Sequence, residues 1–308
     1  MRHFLIDTDT ASDDAVALVL ALRHPGVQVE AITVVAGNVP IDQAVQNALY
    51  TVEMCGASTS VYRGAEGPLM CSLETAQNVH GGDGMGEIGL PLHGRTPASG
   101  NAVSVLIDTI NRFAGTIELV TLGPLTNLAL ALRLEPTLAQ KVKSCTIMGG
   151  TGQGHGNVTP VAEYNFWADP EAAAVVFESG LPITMVGWDI SRLYAVITPD
   201  DAASLRAIGS PLAHFCVDIQ RCVSEYCATQ THLAGYDLPD PIAMAVALDE
   251  TVATVVKELN VAIETQGKYC RGQSVVDHLA MSGRAANTRV VLEARREHFL
   301  EMLQRACR

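Results

Sequence analysis

Residues 3–14 read His3-Phe4-Leu5-Ile6-Asp7-Thr8-Asp9-Thr10-Ala11-Ser12-Asp13-Asp14, and the order of these residue types points to both a fold and a chemistry. His3 to Ile6 is a short apolar run of strand length, and Asp14 to Arg23 is rich in alanine and leucine, which favours helix. Between them, four carboxylates fall within the eight residues Asp7–Asp14. Carboxylates this crowded repel one another and resist joint ionisation unless a cation neutralises them. Their hard oxygens suit Ca²⁺ or Mg²⁺ rather than zinc or copper. Asp7 and Asp9 lie two apart, so at a strand end their side chains share a side, while Asp13 and Asp14 stand at a helix start, where negative charge is favoured. Singly, each has an ordinary reading: Asp13 as a helix cap, Asp14 as a first-turn acid, Asp7 and Asp9 as loop residues. Together, between a strand and a helix, they read as a metal site.

The same strand-then-helix rhythm continues outward. Val29 to Val35 is β-branched and Ile41 to Cys55 helical; Ile117 to Leu122 is a strand entering Gly123-Pro124, followed by a helix over Leu125 to Leu134. Cys145 to Met148 and Ile183 to Val186 are further strands. Alternation of this kind predicts an α/β fold, a single-domain open, mostly parallel sheet flanked by helices. No linker divides residues 1–308, so one domain is expected. Two stretches break the rhythm, Gly64 to Gly100 and Gly149 to Asn165. Long loops in such folds tend to be functional, and ligands sit beyond the carboxyl ends of the strands.

Composition narrows the function classes. The chain has 48% hydrophobic and 17% charged residues, enough apolar content for a large core. Its net charge of −13, without a basic run, disfavours nucleic-acid polymers, which need phosphate neutralisation. The eight cysteines are scattered and form no CxxC pair; they read as small core hydrophobes of a reduced, cytoplasmic protein. No apolar run is long enough to span a bilayer, so no membrane association is expected.

The cluster resembles the amino-terminal DxDxxxDD signature of the inosine-uridine-preferring nucleoside hydrolase family, whose other landmarks follow in order. They are Gly37-Asn38, His80-Gly81-Gly82-Asp83-Gly84, Leu122-Gly123-Pro124-Leu125-Thr126-Asn127, Met148-Gly149-Gly150, Asn157, Ala162-Glu163-Tyr164-Asn165, Asp169-Pro170-Glu171-Ala172 and Asp240-Pro241. The resemblance reaches from Asp7 to about Ala247. It implies a Rossmann-like nucleoside hydrolase fold, a homodimer or homotetramer, and hydrolysis of the N-glycosidic bond of ribonucleosides to ribose and free base. It further implies one Ca²⁺ held by Asp9, Asp14, Asp240 and the backbone carbonyl of Leu122, with the ribose hydroxyls and a water completing the shell. Asp9 would be the general base for that water, Asn38 would support the water and metal site, and Asp13 would accept from the 2′-hydroxyl. Asn157, Glu163 and Asn165 would hold the ribose and Met148 would pack on the sugar or base. Each also has an ordinary reading, as a loop asparagine, a solvated glutamate or a core methionine. His80, in a glycine-rich loop, is read as a base-pocket residue.

One position departs from the pattern. Many members carry a histidine just before the late metal-binding aspartate, where it is thought to help protonate the leaving base; here that residue is Pro239. Among the residues expected to overhang the base, Tyr226, Gln230, His232 and Tyr236, chemistry ranks His232 first and Tyr226 next. Purine and pyrimidine bases, and other N-ribosyl substrates such as nicotinamide riboside, stay open, and Trp188 suits core or stacking equally. Two other classes compete. Asp7-Thr8-Asp9-Thr10 after a strand resembles an aspartate-nucleophile Mg²⁺-dependent phosphatase, although Ala11 and the positions of Lys141 and Lys143 fit it poorly. A catalytically inactive calcium and ribose-binding homologue would explain Pro239 but not the retention of Asp9.

Overall fold

The computed structural model describes residues 1–308. In chain order its strands are β1 (Arg2–Thr8), β2 (Val27–Val34), β3 (Val61–Arg63), β4 (Ile117–Thr121), β5 (Ser144–Met148), β6 (Ile183–Val186), β7 (Val196–Ile197), β8 (Tyr236–Asp237), β9 (Ala253–Ile263), β10 (Ser274–Asp277) and β11 (Thr288–Ala294). Nine of them form one sheet in the order β10-β9-β11-β6-β5-β4-β1-β2-β3, and β7 and β8 form a separate antiparallel ribbon. From β3 to β6 the sheet is parallel in the doubly wound order of dinucleotide-binding folds, with its switch point between β1 and β4. The expected fold class is therefore the one observed.

The alternation of side chains along β1 splits the interior into two cores. Phe4 and Ile6 enter one, packed under the helices Ser12–Leu22, Ile41–Met54, Pro239–Leu248 and Arg296–Ala306. Leu5 enters the other, under Ala102–Arg112, Thr126–Leu134 and Pro170–Phe177. Residues from Ser12 to Ala21 are all buried, because this helix lies between the sheet and Pro239–Leu248. An all-round apolar helix needs such an enclosed place.

The chain beyond Ala247, where the resemblance stops, adds three strands and a helix. β11 adds parallel to β6, but β9 pairs antiparallel with β11 and with β10. β9 lies partly exposed, so its apolar residues form no continuous buried run. Of the cysteines, Cys55, Cys145, Cys216, Cys227 and Cys307 are buried as expected, whereas Cys71 is exposed and Cys222 and Cys270 are half-buried; all eight are free. No helix is long and apolar enough to cross a membrane.

Buried polar residues fix the switch point. Asn127, fully buried, donates through Nδ2 to Asp7 Oδ1 (2.9 Å) and to the Val34 carbonyl (3.1 Å), and its Oδ1 accepts from the Ala65 N–H (2.9 Å). One side chain thereby ties the ends of β1 and β2 to the segment after β3. Removing it strands two buried partners, Asp7 and Val34, and the half-buried Ala65 N–H, each buried one costing about 1–3 kcal/mol. Asn127→Ala is accordingly expected to lower unfolding stability by about 2–4 kcal/mol in urea melts, whereas the same change at an exposed site such as Asn111 should cost well under ~1 kcal/mol.

Candidate active site

Asp7 ends up behind the site rather than in it. Its Oδ1 accepts from Thr33 and Asn127, and burial pushes its carboxyl up to about 7. Beyond β1 the chain turns through Asp9. There the Asn38 N–H donates to Asp9 Oδ2 at 2.6 Å, while Asp9 Oδ1 is buried with no partner in the protein. Two glycines make this possible. A β-carbon on Gly37 would lie 2.1 Å from Asp9 Oδ2, and one on Gly123 would lie 2.5 Å from Asp9 Oδ1. Backbone from the ends of β2 and β4 can thus close on both sides of the carboxylate.

The helix after the turn begins at Ser12 and places Asp14 in its first turn, with Oδ2 accepting from the Ala11 N–H (2.9 Å) and Oδ1 from Thr8 Oγ1 (2.6 Å). Asn38 Nδ2 approaches Asp14 Oδ2 at 3.3 Å. Across the cleft, the β7–β8 ribbon delivers Leu238, whose N–H donates to the Ala195 carbonyl, and so sets the start of the helix that carries Asp240. Oxygens of Asp13, Asp14 and Asp240 all lie within 4.8 Å of one another. Asp13 thus stands beside Asp14 and Asp240, and Asp9, with Oδ2 held by the Asn38 N–H, keeps Oδ1 unpartnered and close enough to Asp14 and Asp240 for their charges to act on one another.

Three ionised carboxylates at this spacing would repel by about 3 kcal/mol per pair even at an effective dielectric constant of about 20, roughly 10 kcal/mol in all. That rivals the whole stability of a domain. Burial, then mutual repulsion, pushes Asp9 and Asp240 well above the ordinary carboxylate range and raises Asp14; burial carries Asp13 to about 7. His80, the nearest imidazole, gives little relief. It belongs to a one-turn helix, Gln77–His80, not to a flexible loop; Nδ1 meets Ser12 Oγ at 3.0 Å, and burial lowers its pKa to about 4. The all-oxygen donor set and the unpartnered Asp9 Oδ1 and Asp13 Oδ1 fit a hard divalent cation.

A cavity of about 750 Å³ opens over this cluster, within the usual size of small-molecule sites. Asp13, Asn38, His80, Leu122, Met148, Asn157, Glu163, Asn165, Tyr226 and Asp240 all line it, so most residues picked from sequence converge there. Glu163 is buried, not solvated: Oε1 accepts from the Asn165 N–H and Oε2 from the Gly150 N–H, which caps the helix Tyr164–Ala168. Burial lifts its carboxyl to about 7. Asn165 Nδ2 donates to the Leu122 carbonyl at 2.7 Å and approaches the Met148 carbonyl at 3.2 Å, bridging the ends of β4 and β5. Asn157 is exposed at the mouth. Tyr164 Oη donates to the Glu74 carbonyl at 2.8 Å, latching the two long loops together.

His232 is the correction. It is exposed in a left-handed conformation (φ 55°) after the turn Cys227–Thr231 and does not line the cavity; Tyr226, Gln230 and Thr231 do. Tyr236 is also absent from the lining. Sequence reading missed Asp237 and Arg192 and left Trp188 open, yet all three line the cavity. Asp237 Oδ2 accepts from Ser191 Oγ at 2.7 Å. Asp237 arrives on the β7–β8 ribbon and Trp188 and Arg192 on the helix Trp188–Tyr194, and no local pattern announces either placement. Lys141 and Lys143 pair with Glu135 and Glu118 just before β5, at the opposite end of the sheet from the cavity, which removes the phosphatase reading's required lysine.

Acid oxygens gathered at the switch point of a doubly wound sheet, under a cavity of small-molecule size, make a candidate metal-assisted site for a small molecule. The comparisons give the class its name. The model of the inosine-uridine preferring nucleoside hydrolases matches residues 4–301, well past the Ala247 limit of the motif resemblance. A pyrimidine-specific ribonucleoside hydrolase, RihA, from Salmonella schwarzengrund is 38% identical over 97% of this chain and 96% of its own. Among solved structures, a plant nucleoside hydrolase superposes with TM-score 0.92 at 32% identity, covering 99% of this chain and 98% of the other. A purine-preferring ribonucleoside hydrolase from Gardnerella vaginalis gives 0.92 at 29% identity over the same shares. The chain belongs to the inosine-uridine preferring nucleoside hydrolase family, and it is a ribonucleoside hydrolase acting on small-molecule ribonucleosides.

The raised carboxyl groups fix the sign of a pH effect. A folded-state pKa above the unfolded value means the native chain binds more protons, so stability is lost as pH rises from near 4 through the folded value. For Asp7, Asp13 and Glu163 that window runs from about 4 to about 7. Chelator-treated protein should therefore melt several degrees higher at pH 5.5 than at pH 8, and excess Ca²⁺ should flatten that slope. Melting curves at both pH values check it.

Proposed function

We propose that this hydrolase is Ca²⁺-dependent, that Asp9 is its general base, and that pyrimidine ribonucleosides are its preferred substrates. The observation that carries the catalytic part is Asp9 itself: a buried carboxylate with one oxygen bonded to Asn38, which lines the cavity, and the other unpartnered. Burial and the Asp14 charge raise its proton affinity, which suits a base. Asp9, Asp14 and Asp240, with the Leu122 carbonyl, would hold Ca²⁺, the unpartnered Asp9 Oδ1 and the closeness of Asp14 to Asp240 supporting that set; when bound, the ion supplies the positive charge that lets these carboxylates stay ionised and polarises the attacking water.

The protein's own groups do the rest. Asp9 takes a proton from the water as its oxygen bonds to the anomeric carbon, and Asn38 holds Asp9 in place. Asp13 accepts from the 2′-hydroxyl. Glu163, Asn165 and Asn157 position the ribose, and Met148 packs against it. Surrounding carboxylates favour the positive charge that grows on the ribosyl ring. Base preference rests on likeness: RihA, the 38% relative, is named pyrimidine-specific, while the purine-preferring neighbour is 29% identical. Assembly as a homodimer or homotetramer belongs to the same reading, as does a reducing, cytoplasmic setting for eight free thiols.

Reducing-sugar release from a panel of purine and pyrimidine ribonucleosides tests this reading. Wild type should turn over uridine fastest; Asp9→Ala should lose about 10²–10⁴-fold in kcat; chelation should abolish turnover and Ca²⁺ restore it. Activity that survives both chelation and Asp9→Ala would overturn the mechanism, and faster turnover of inosine than uridine would overturn the base preference.

A further inference from the structure

The cavity lining is acidic, with one exception. Asp13, Asp240, Asp237 and Glu163 line it, and among all its lining residues the single lysine or arginine is Arg192. Negative charge around the sugar favours the ribosyl cation, but the departing base carries away the electron pair of the broken bond and needs the opposite environment. Pro239 has no proton to give. His80 is buried and uncharged near neutral pH, with Nδ1 engaged by Ser12.

We propose that Arg192 receives the departing base, its guanidinium hydrogen-bonding the ring carbonyl oxygen on which the negative charge collects. This arginine makes no hydrogen bond and no ion pair within the protein, so its fork of donors is free. It is nevertheless held: the guanidinium carbon sits 4.8 Å from the centroid of the Trp188 ring, which begins the same short helix, Trp188–Tyr194, and is itself 7% exposed. Stacking of this kind fixes a guanidinium in place without consuming its N–H groups. The neighbours that feel its charge are Asp237 and Cys227. Both line the cavity with Tyr226 and Pro239, the region expected to overhang the base. Asp237 is engaged by Ser191 and lies beyond ion-pair distance.

The step balances without a proton from arginine. Water oxygen bonds to the anomeric carbon and one water proton passes to Asp9. The bond from that carbon to the base nitrogen breaks with its pair on the base, where the ring carbonyls share it. A proton from solvent then neutralises the base, and Asp9 returns its own to solvent. Bases that leave as oxo-anions, uracil or hypoxanthine, gain from such a partner. The assignment rests on the hydrolytic reading above.

A substrate that needs no help with its leaving group separates the two. Wild type, Arg192→Gln and Arg192→Lys are compared on uridine, inosine and 4-nitrophenyl riboside with Ca²⁺ present. Loss of a hydrogen bond to a charged partner corresponds to about 10- to 100-fold. Arg192→Gln should lose that much in kcat on the nucleosides and far less on the nitrophenyl riboside, so the ratio of the two rates falls at least tenfold, and Arg192→Lys should recover part of it. Equal losses on all substrates, as a merely structural role would give, or no loss on the nucleosides, overturn the assignment while leaving the hydrolytic reading intact. A wild type inactive on every substrate would overturn both.

Discussion

Repulsion among buried carboxylates is the constraint around which this molecule is arranged. Asp9, Asp13, Asp14 and Asp240 are each at most 7% exposed, and no lysine or arginine forms an ion pair with any of them. A protein has no gain in stability from such a cluster, since the same positions filled by neutral side chains would cost less. The arrangement makes sense as a charge trap for a divalent cation and for a substrate that becomes positive as it reacts. What surrounds it serves to hold the trap open: Asn127 and Thr33 hold Asp7, Asn38 holds Asp9, Thr8 and the Ala11 N–H hold Asp14.

The doubly wound order supplies the location. β1 and β4 are neighbours whose following segments leave toward opposite faces, which leaves a crevice at their carboxyl ends. Gly37 and Gly123 let the chain close around Asp9 inside that crevice. Distant segments complete it. The loop with Glu163 and Asn165 ties to the ends of β4 and β5, Tyr164 latches it to the loop before His80, and the β7–β8 ribbon brings in Asp237 and Asp240. The resulting lining, several acids and one guanidinium packed on Trp188, is what the proposed separation of charge at an N-glycosidic bond calls for.

Much of this was legible from residue order because the parallel strands are short β-branched or apolar runs followed by helices, and because four acids in eight residues have few innocent explanations. The parts that were not legible have physical reasons. β9 lies half in solvent and β10 is short, so neither carries a buried apolar run. His232 looked attractive on chemistry, but a left-handed residue after Thr231 turns it outward, and nothing in composition foretells that. The hold on Asp9 is a backbone hydrogen bond from Asn38, a contact across 29 positions that residue order does not announce. Arg192 and Trp188 converge on the cavity only through the placement of a seven-residue helix.

Calorimetric titration of Ca²⁺ into chelator-stripped protein at pH 6.5, run in two buffers of different ionisation enthalpy and repeated on Asp14→Asn, addresses the charge trap most directly. The account predicts one Ca²⁺ per chain, a net release of protons as the raised carboxyl groups ionise, and affinity at least tenfold weaker in Asp14→Asn. Absence of binding, or binding that releases no protons and ignores Asp14→Asn, would contradict it.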